Sequence, residues 1–250
     1  MRLALIAACL LVCGSVAGCA GSSGCALTDG SCVRVLFLGN SYTSTNDLPG
    51  MFASLAAAAG RRVDVAMVAN GGETLTDHAA SADDTAQLSA GRWDFVVLQE
   101  QSEIPAMPTG WPQMQAAVRS LVARIRTTGA VPILFETWAH RDGMPTAGLR
   151  DFMAMQTALA EGYRQAGSQA GIGVVPVGDA WATAIERDSA LELWQPDGSH
   201  PTAVGTWLSA AVFAHALLKT DPGQLISASG APAANIAAEL ASVASQSSVK

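Results

Sequence analysis

The sequence is short of positive charge, short of cysteine, and without a hydrophobic run long enough to remain in a membrane. Lys and Arg together number 14 against 21 Asp and Glu, a formal net charge of −7, and the basic residues are scattered. This balance argues against nucleic acid or an anionic membrane surface as the main partner. The cysteines, 5 in all, form no Cys/His cluster of the kind that holds catalytic zinc. No Gly-rich loop leads into a helix with a Lys to cradle phosphates, so neither a metal nor a cofactor is expected. There is no internal repeat and no sign of a second core. A chain of 250 residues suffices for one sizeable α/β domain, which we place at residues 32–225.

Half of the residues are apolar, and part of that excess sits at the N-terminus. Residues 1–19 read MRLALIAACLLVCGSVAGC: a basic start at Arg2, an apolar stretch from Leu3 to Val12, then small residues. The stretch is too short to span a bilayer and reads as an export signal. Its end, Val16-Ala17-Gly18-Cys19, resembles a bacterial lipobox, which implies a lipid on Cys19. Plain cleavage after Ala17 or Ala20 is the alternative. The expected location is the cell envelope, held only by a lipid anchor, or the exterior. Residues 20–31 then form a tether. Cys9 and Cys13 leave with the signal, so Cys25 and Cys32 remain, separated by the turn-rich Ala-Leu-Thr-Asp-Gly-Ser. In an oxidising compartment a disulfide is the natural reading of such a pair.

From Val33 onward, short apolar runs alternate with longer helical patterns. Residues 33–38, 63–69, 95–98, 131–135 and 173–177 lack polar alternation, as expected of parallel strands covered on both faces. Helices are predicted at about 48–59, 112–128, 149–170 and 202–218, the last with Thr202 as N-cap. Repeated β-then-α order implies right-handed crossovers and a three-layer α/β/α sandwich of about five parallel strands. Residues 226–250 read as a weak helix or a loose tail. In such a sheet, functional residues collect beyond the carboxyl ends of the strands. There the chain carries Gly39-Asn40-Ser41, Asn70-Gly71-Gly72, Gln99-Glu100-Gln101, Glu136-Thr137-Trp138 and Gly178-Asp179.

Ser41 could simply cap the next helix. To act as a nucleophile it needs a base, a group that orients the base, and donors aimed at the oxyanion. The run Pro196-Asp197-Gly198-Ser199-His200-Pro201 offers the first two, because three-residue spacing lets a carboxylate reach the imidazole. Of the other histidines, His140 follows the fourth strand and is the competing base. His215 lies inside the last helix and reads as structural. His78, after the Gly-Gly segment, reads as a surface or supporting residue. Glu100 and Glu136, both at strand ends, raise the separate idea of a paired-carboxylate glycosidase. Trp111 and Trp138 in nearby loops could face sugar rings or pack onto the core.

The run VLFLGNSYTSTNDLP resembles the first block of the SGNH, or GDSL-type, hydrolases, and DGSHPTAVG resembles their last. Gly72-Glu73-Thr74 is similar to the second block. Together these motifs imply a flavodoxin-like fold over residues 33–219. They imply Ser41 as nucleophile, His200 as base, Asp197 as its orienter, and oxyanion donors at Ser41 and Gly72. The third block departs from the family. Where G-x-N-D is usual, this chain reads Gln99-Glu100-Gln101-Ser102, with Gln101 on the Asn and Gln99 on the Gly. Gln carries the same amide on a longer arm, so Gln101 is the expected third donor and Gln99 the second candidate. WDFVVLQEQS also looks like a branch of bacterial esterases. The resemblance implies hydrolysis of O-acyl, especially O-acetyl, esters on small molecules or polysaccharide, with Trp138 and Glu100 touching substrate. A lipid esterase or thioesterase is the alternative within the class. A glycan-binding lipoprotein without turnover is the alternative outside it.

Overall fold

Five runs without polar alternation build one all-parallel sheet in the order β2-β1-β3-β4-β5. The strands are β1 (Cys32–Gly39), β2 (Arg62–Ala69), β3 (Phe95–Leu98), β4 (Val131–Glu136) and β5 (Gly173–Pro176). A computed structural model describes Cys25 and residues 31–250. The expected export signal, Cys19 and most of the expected tether lie outside the described residues. Cys25 and Cys32 are joined by a disulfide, with their Cα atoms 6.1 Å apart.

The register of β1 shows why the strands read as unbroken apolar runs. Successive side chains point to opposite faces, and here both faces are covered. Val35 and Phe37 enter one core, packed with helices α2 (Leu48–Ala58), α7 (Val177–Arg187) and α8 (Ala203–Leu218). Leu36 and Leu38 enter the other, with α3 (Leu75–Ala80), α4 (Ala82–Ala90) and α5 (Trp111–Thr127). Helix α8 is apolar on nearly every side and is correspondingly buried from Gly205 to Ala214. Thr202 caps it, accepting from the Gly205 N–H at 3.2 Å.

Some elements lie where the periodicity was silent or misleading. Helices α3 and α4 are too short, at 6 and 9 residues, to show a period. Their signatures are the N-caps Thr74 and Ser81, the first in a capping box with Asp77. The strand expected at residues 173–177 stops at Pro176, and Val177 already begins α7. Of the weak helix and the loose tail expected after residue 225, the structure has the helix. Helix α9 (Ala234–Ala244) docks with Ala237, Leu240, Ala241, Val243 and Ala244 buried in the first core. Ala-rich surface buries closely without large side chains, so a segment of low apolar bulk still finds a place.

The strand order puts the reversal of winding between β1 and β3. Crevices at such switch points, beyond the carboxyl ends of the strands, are where ligands bind in open α/β sheets. Ser41 follows β1, and Gln99 to Gln101 follow β3.

Candidate active site

Ser41 is the first residue of α1 (Ser41–Ser44), a single turn capped by Asn40. Asn40 holds the turn from three directions. Its Oδ1 accepts from the Tyr42 N–H at 3.1 Å, its Nδ2 donates to the Glu73 carbonyl at 2.9 Å, and its own N–H donates to Gln99 Oε1 at 2.9 Å. Gly39 is required there, since a Cβ would stand 2.5 Å from Thr43 Oγ1 and 2.6 Å from Gln99 Oε1. Asn46 and Asp47 then turn the chain sharply into α2 through positive φ angles of 57° and 53°.

The last block forms a tight loop ahead of α8. Gln195 N–H donates to the His200 carbonyl at 2.8 Å, and Gly198 turns the loop at φ 69°. Asp197 Oδ1 accepts from the Ser199 and His200 N–H groups at 2.9 and 3.0 Å, while its Oδ2 lies 2.7 Å from His200 Nδ1. His200 Nε2 lies 3.0 Å from Ser41 Oγ. The Ser199 backbone bond, followed by the bonds from His200, holds the Asp197 carboxyl below its ordinary range. Two side chains brace this loop against the nucleophile turn. Tyr42 Oη meets Ser199 Oγ at 2.7 Å, and Asn46 Nδ2 donates to the Pro201 carbonyl at 2.9 Å. Burial lifts the Tyr42 hydroxyl to about 12, so it remains a neutral partner. Nothing in the sequence singled out Tyr42 or Asn46 for this bracing.

Gly72 has φ 76°, which favours glycine, and a Cβ there would meet nothing, so its backbone faces open space. Among the described residues neither the Ser41 nor the Gly72 N–H has a protein acceptor. The two glutamines differ. Gln99 is fully buried, and its amide nitrogen donates to Asn40 Oδ1 at 2.9 Å and to the Glu100 carbonyl. It has no proton left for a ligand, which removes it as an oxyanion donor. Gln101 spends only its oxygen, accepting from Glu103 and Ile104 N–H at 2.8 and 3.2 Å. Its nitrogen has one long contact, 3.4 Å to Ser102 Oγ.

Two expected substrate contacts are corrected. Trp138 has no exposed surface; it stacks on Tyr42 at 4.6 Å and on Trp181 at 4.2 Å, and donates to the Ser199 carbonyl at 3.0 Å. It is core beneath the His200 loop. Glu100 is buried too, accepting from Leu75 and Gln101 N–H at 3.0 and 2.8 Å, and burial raises its carboxyl. Glu136 is buried elsewhere, against Gln156 and the Asp179 N–H, and burial lifts it to about 8. Neither carboxyl is exposed, so a glycosidase pair is not formed. Trp111 starts α5 and donates to the Pro105 carbonyl at 2.8 Å. His140 is partly buried with an unpartnered Nε2, and desolvation lowers its affinity for a proton. No carboxylate bonds its ring. His215, on α8, donates from Nδ1 to the Thr220 carbonyl, 2.9 Å away. His78, expected at the surface or in support, is fully buried. Among the described residues no His, Cys, Asp and Glu group is placed to hold a metal ion.

A protein of Slackia heliotrinireducens described as an SGNH hydrolase is 32% identical to this chain, over 74% of it and 98% of the other, with a TM-score of 0.61. The chain belongs to the SGNH hydrolases. A DUF4886 family protein of Bacteroides uniformis superposes on this SGNH hydrolase with a TM-score of 0.67 at 20% identity, over 86% and 94% of the two chains. A variant of an acetyl xylan esterase from Geobacillus stearothermophilus does so at 0.57 and 16% identity, over 73% and 93%. These two likenesses establish the fold alone. No protein-family model and no curated protein matches the sequence.

Proposed function

We propose that this SGNH hydrolase is an exported serine esterase that removes O-acyl groups, O-acetyl above all, from carbohydrate. The observation that carries the reading is the unbroken relay from Asp197 through His200 to Ser41, at 2.7 and 3.0 Å. Ser41 Oγ attacks the ester carbonyl carbon while His200 Nε2 takes its proton. Asp197, kept ionised by the bonds it accepts, fixes the imidazole and stabilises the imidazolium. The oxyanion is held by the Ser41 and Gly72 N–H groups and the Gln101 amide. Collapse expels the alcohol with the proton from His200, and water then cleaves the acyl-enzyme by the same path.

The carbohydrate acetate is proposed by analogy with the acetyl xylan esterase that shares the fold, since a fold alone does not fix a substrate. Export and a lipid on Cys19 rest on the first 19 residues, and the Cys25–Cys32 disulfide suits an oxidising compartment. Mass spectrometry of membrane-extracted protein tests that part: a mature terminus without a lipid-bearing Cys19 contradicts it. For the chemistry, the purified protein is assayed on p-nitrophenyl acetate, longer acyl esters and acetylated xylo-oligosaccharides. Acetate esters should turn over fastest, and Ser41→Ala should lose several orders of magnitude in kcat. Undiminished turnover in Ser41→Ala sinks the mechanism. Preference for long acyl chains points instead to a lipid esterase, and glycan binding without turnover to a binding protein.

A further inference from the structure

The Gly39–Asn40 peptide, which delivers Ser41 to the cleft, is gripped by side chains at both ends. Its N–H donates to Gln99 Oε1 at 2.9 Å, and its carbonyl accepts from His78 Nε2 at 2.8 Å. His78 is fully buried on α3, and its other nitrogen, Nδ1, lies 2.5 Å from Asp84 Oδ2 on α4. Asp84 is itself buried, in the first turn of its helix, where a carboxylate is favoured by the unpaired N–H groups. A carbonyl can only accept, so the Nε2 contact requires a proton on Nε2. A neutral imidazole has then none for Nδ1, yet Nδ1 stands within hydrogen-bond distance of a carboxyl oxygen. One further proton must therefore lie between Nδ1 and Asp84. Acidic groups also act on the ring, with Glu73 Oε2 at 3.8 Å from Nε2 and Glu100 and Asp77 through space, while the Arg124 guanidinium stands nearby on the Ala79 carbonyl at 2.6 Å.

We propose that His78 and Asp84 form a second, buried Asp–His pair that positions the nucleophile. The pair neither gives nor takes a proton in the reaction. Asp84 fixes the tautomer and orientation of His78, as carboxylates do for working histidines. His78 in turn fixes the Gly39 carbonyl, and so the entry of Ser41 Oγ and of the Ser41 N–H. This inference rests on Ser41 being the nucleophile, and it explains a buried titratable pair that the hydrolysis itself does not use.

The amide of Gln reaches about as far as Nε2, whereas that of Asn reaches only about as far as Nδ1. His78→Gln therefore keeps the donor to Gly39, and His78→Asn keeps only the partner of Asp84. On p-nitrophenyl acetate, His78→Asn should lower kcat by about 10²-fold with KM nearly unchanged, and His78→Gln should recover most of that loss. A purely packing role would make the two variants equal at matched thermal stability, and equal rates overturn the proposal. A second readout needs no turnover. In a His200→Ala background, a far-downfield proton resonance should persist and vanish in Asp84→Asn. Its absence before that substitution also overturns the proposal. Undiminished activity of Ser41→Ala overturns the nucleophile reading instead, and is told apart because residue 78 is untouched in that variant.

Discussion

Gln101 and Gln99 are the same residue type two positions apart, and their burial and hydrogen bonds separate them. Gln101 keeps its amide nitrogen nearly free, while Gln99 spends both protons holding Asn40 and the Glu100 carbonyl. Gln101→Ala should therefore lower kcat by about 10²–10³-fold with little change in KM, as loss of one oxyanion donor does. Gln101→Asn should keep part of the rate. Gln99→Ala should cost stability as well, about 1–3 kcal/mol, because it strands buried polar partners, and any kcat it loses comes through the Asn40 turn that it holds. Gln101→Ala with undiminished kcat would refute the assignment; kinetics beside denaturant melts separate it from the destabilised Gln99→Ala. The histidines separate in the same way. His200→Ala should cost orders of magnitude in kcat, whereas His140→Ala, whose ring no carboxylate orients, should cost less than about tenfold. The sequence marked His200 by its Asp three residues upstream. It could not show that Trp138 and Glu100 point inward, because residues just past a strand end face either core or cleft.

Helix α8 is where element and core coincide. Phe213 meets Phe135, Phe37 and Phe52 edge to face at 5.0, 5.4 and 6.3 Å, with no exposed surface. Phe213→Ala should destabilise the fold by about 3–5 kcal/mol, the cost of lost transfer energy plus a cavity. Urea unfolding measures it, and a loss under about 1 kcal/mol would mean that the site collapses around the gap. The same helix follows directly on His200 and Pro201, so its seating also sets where the imidazole stands. Long strongly apolar or periodic elements such as α5, α6 (Phe152–Ala170) and α8 were legible in advance. Short capped helices α3 and α4 were not, and these carry His78 and Asp84. Helix α9 was left open between a weak helix and a loose tail because alanine and serine carry little pattern, and burial against the first core decides for the helix.

Across the whole molecule, buried ionisable groups make stability depend on pH. Glu136 is buried against Gln156 and Asp179, and its carboxyl is lifted from the ordinary 4.5 to about 8. The folded state thus holds a proton that the unfolded chain releases above about pH 4.5. Its contribution is fully present below that pH and is lost progressively as pH rises through about 8. Glu136→Gln keeps the accepting oxygen and removes the proton, so the variant should gain on the parent between pH 5 and 8, by up to roughly 5 kcal/mol. Melts of both proteins across that range check it; parallel pH profiles would show that Glu136 is ionised in the fold. The sequence by itself determined the layers, since apolar runs of strand length alternating with helices admit few solutions other than a parallel sheet covered on both faces. It also determined which Asp could serve His200, because that contact is local. Only the tertiary structure decided that His200 meets Ser41 across 159 positions, that Gln99 is spent and Gln101 free, and that His78 grips Gly39. The His200–Ser41, Gln99–Asn40 and His78–Gly39 contacts join residues far apart in the chain, and their geometry follows from how the helices pack on the sheet rather than from any local spacing.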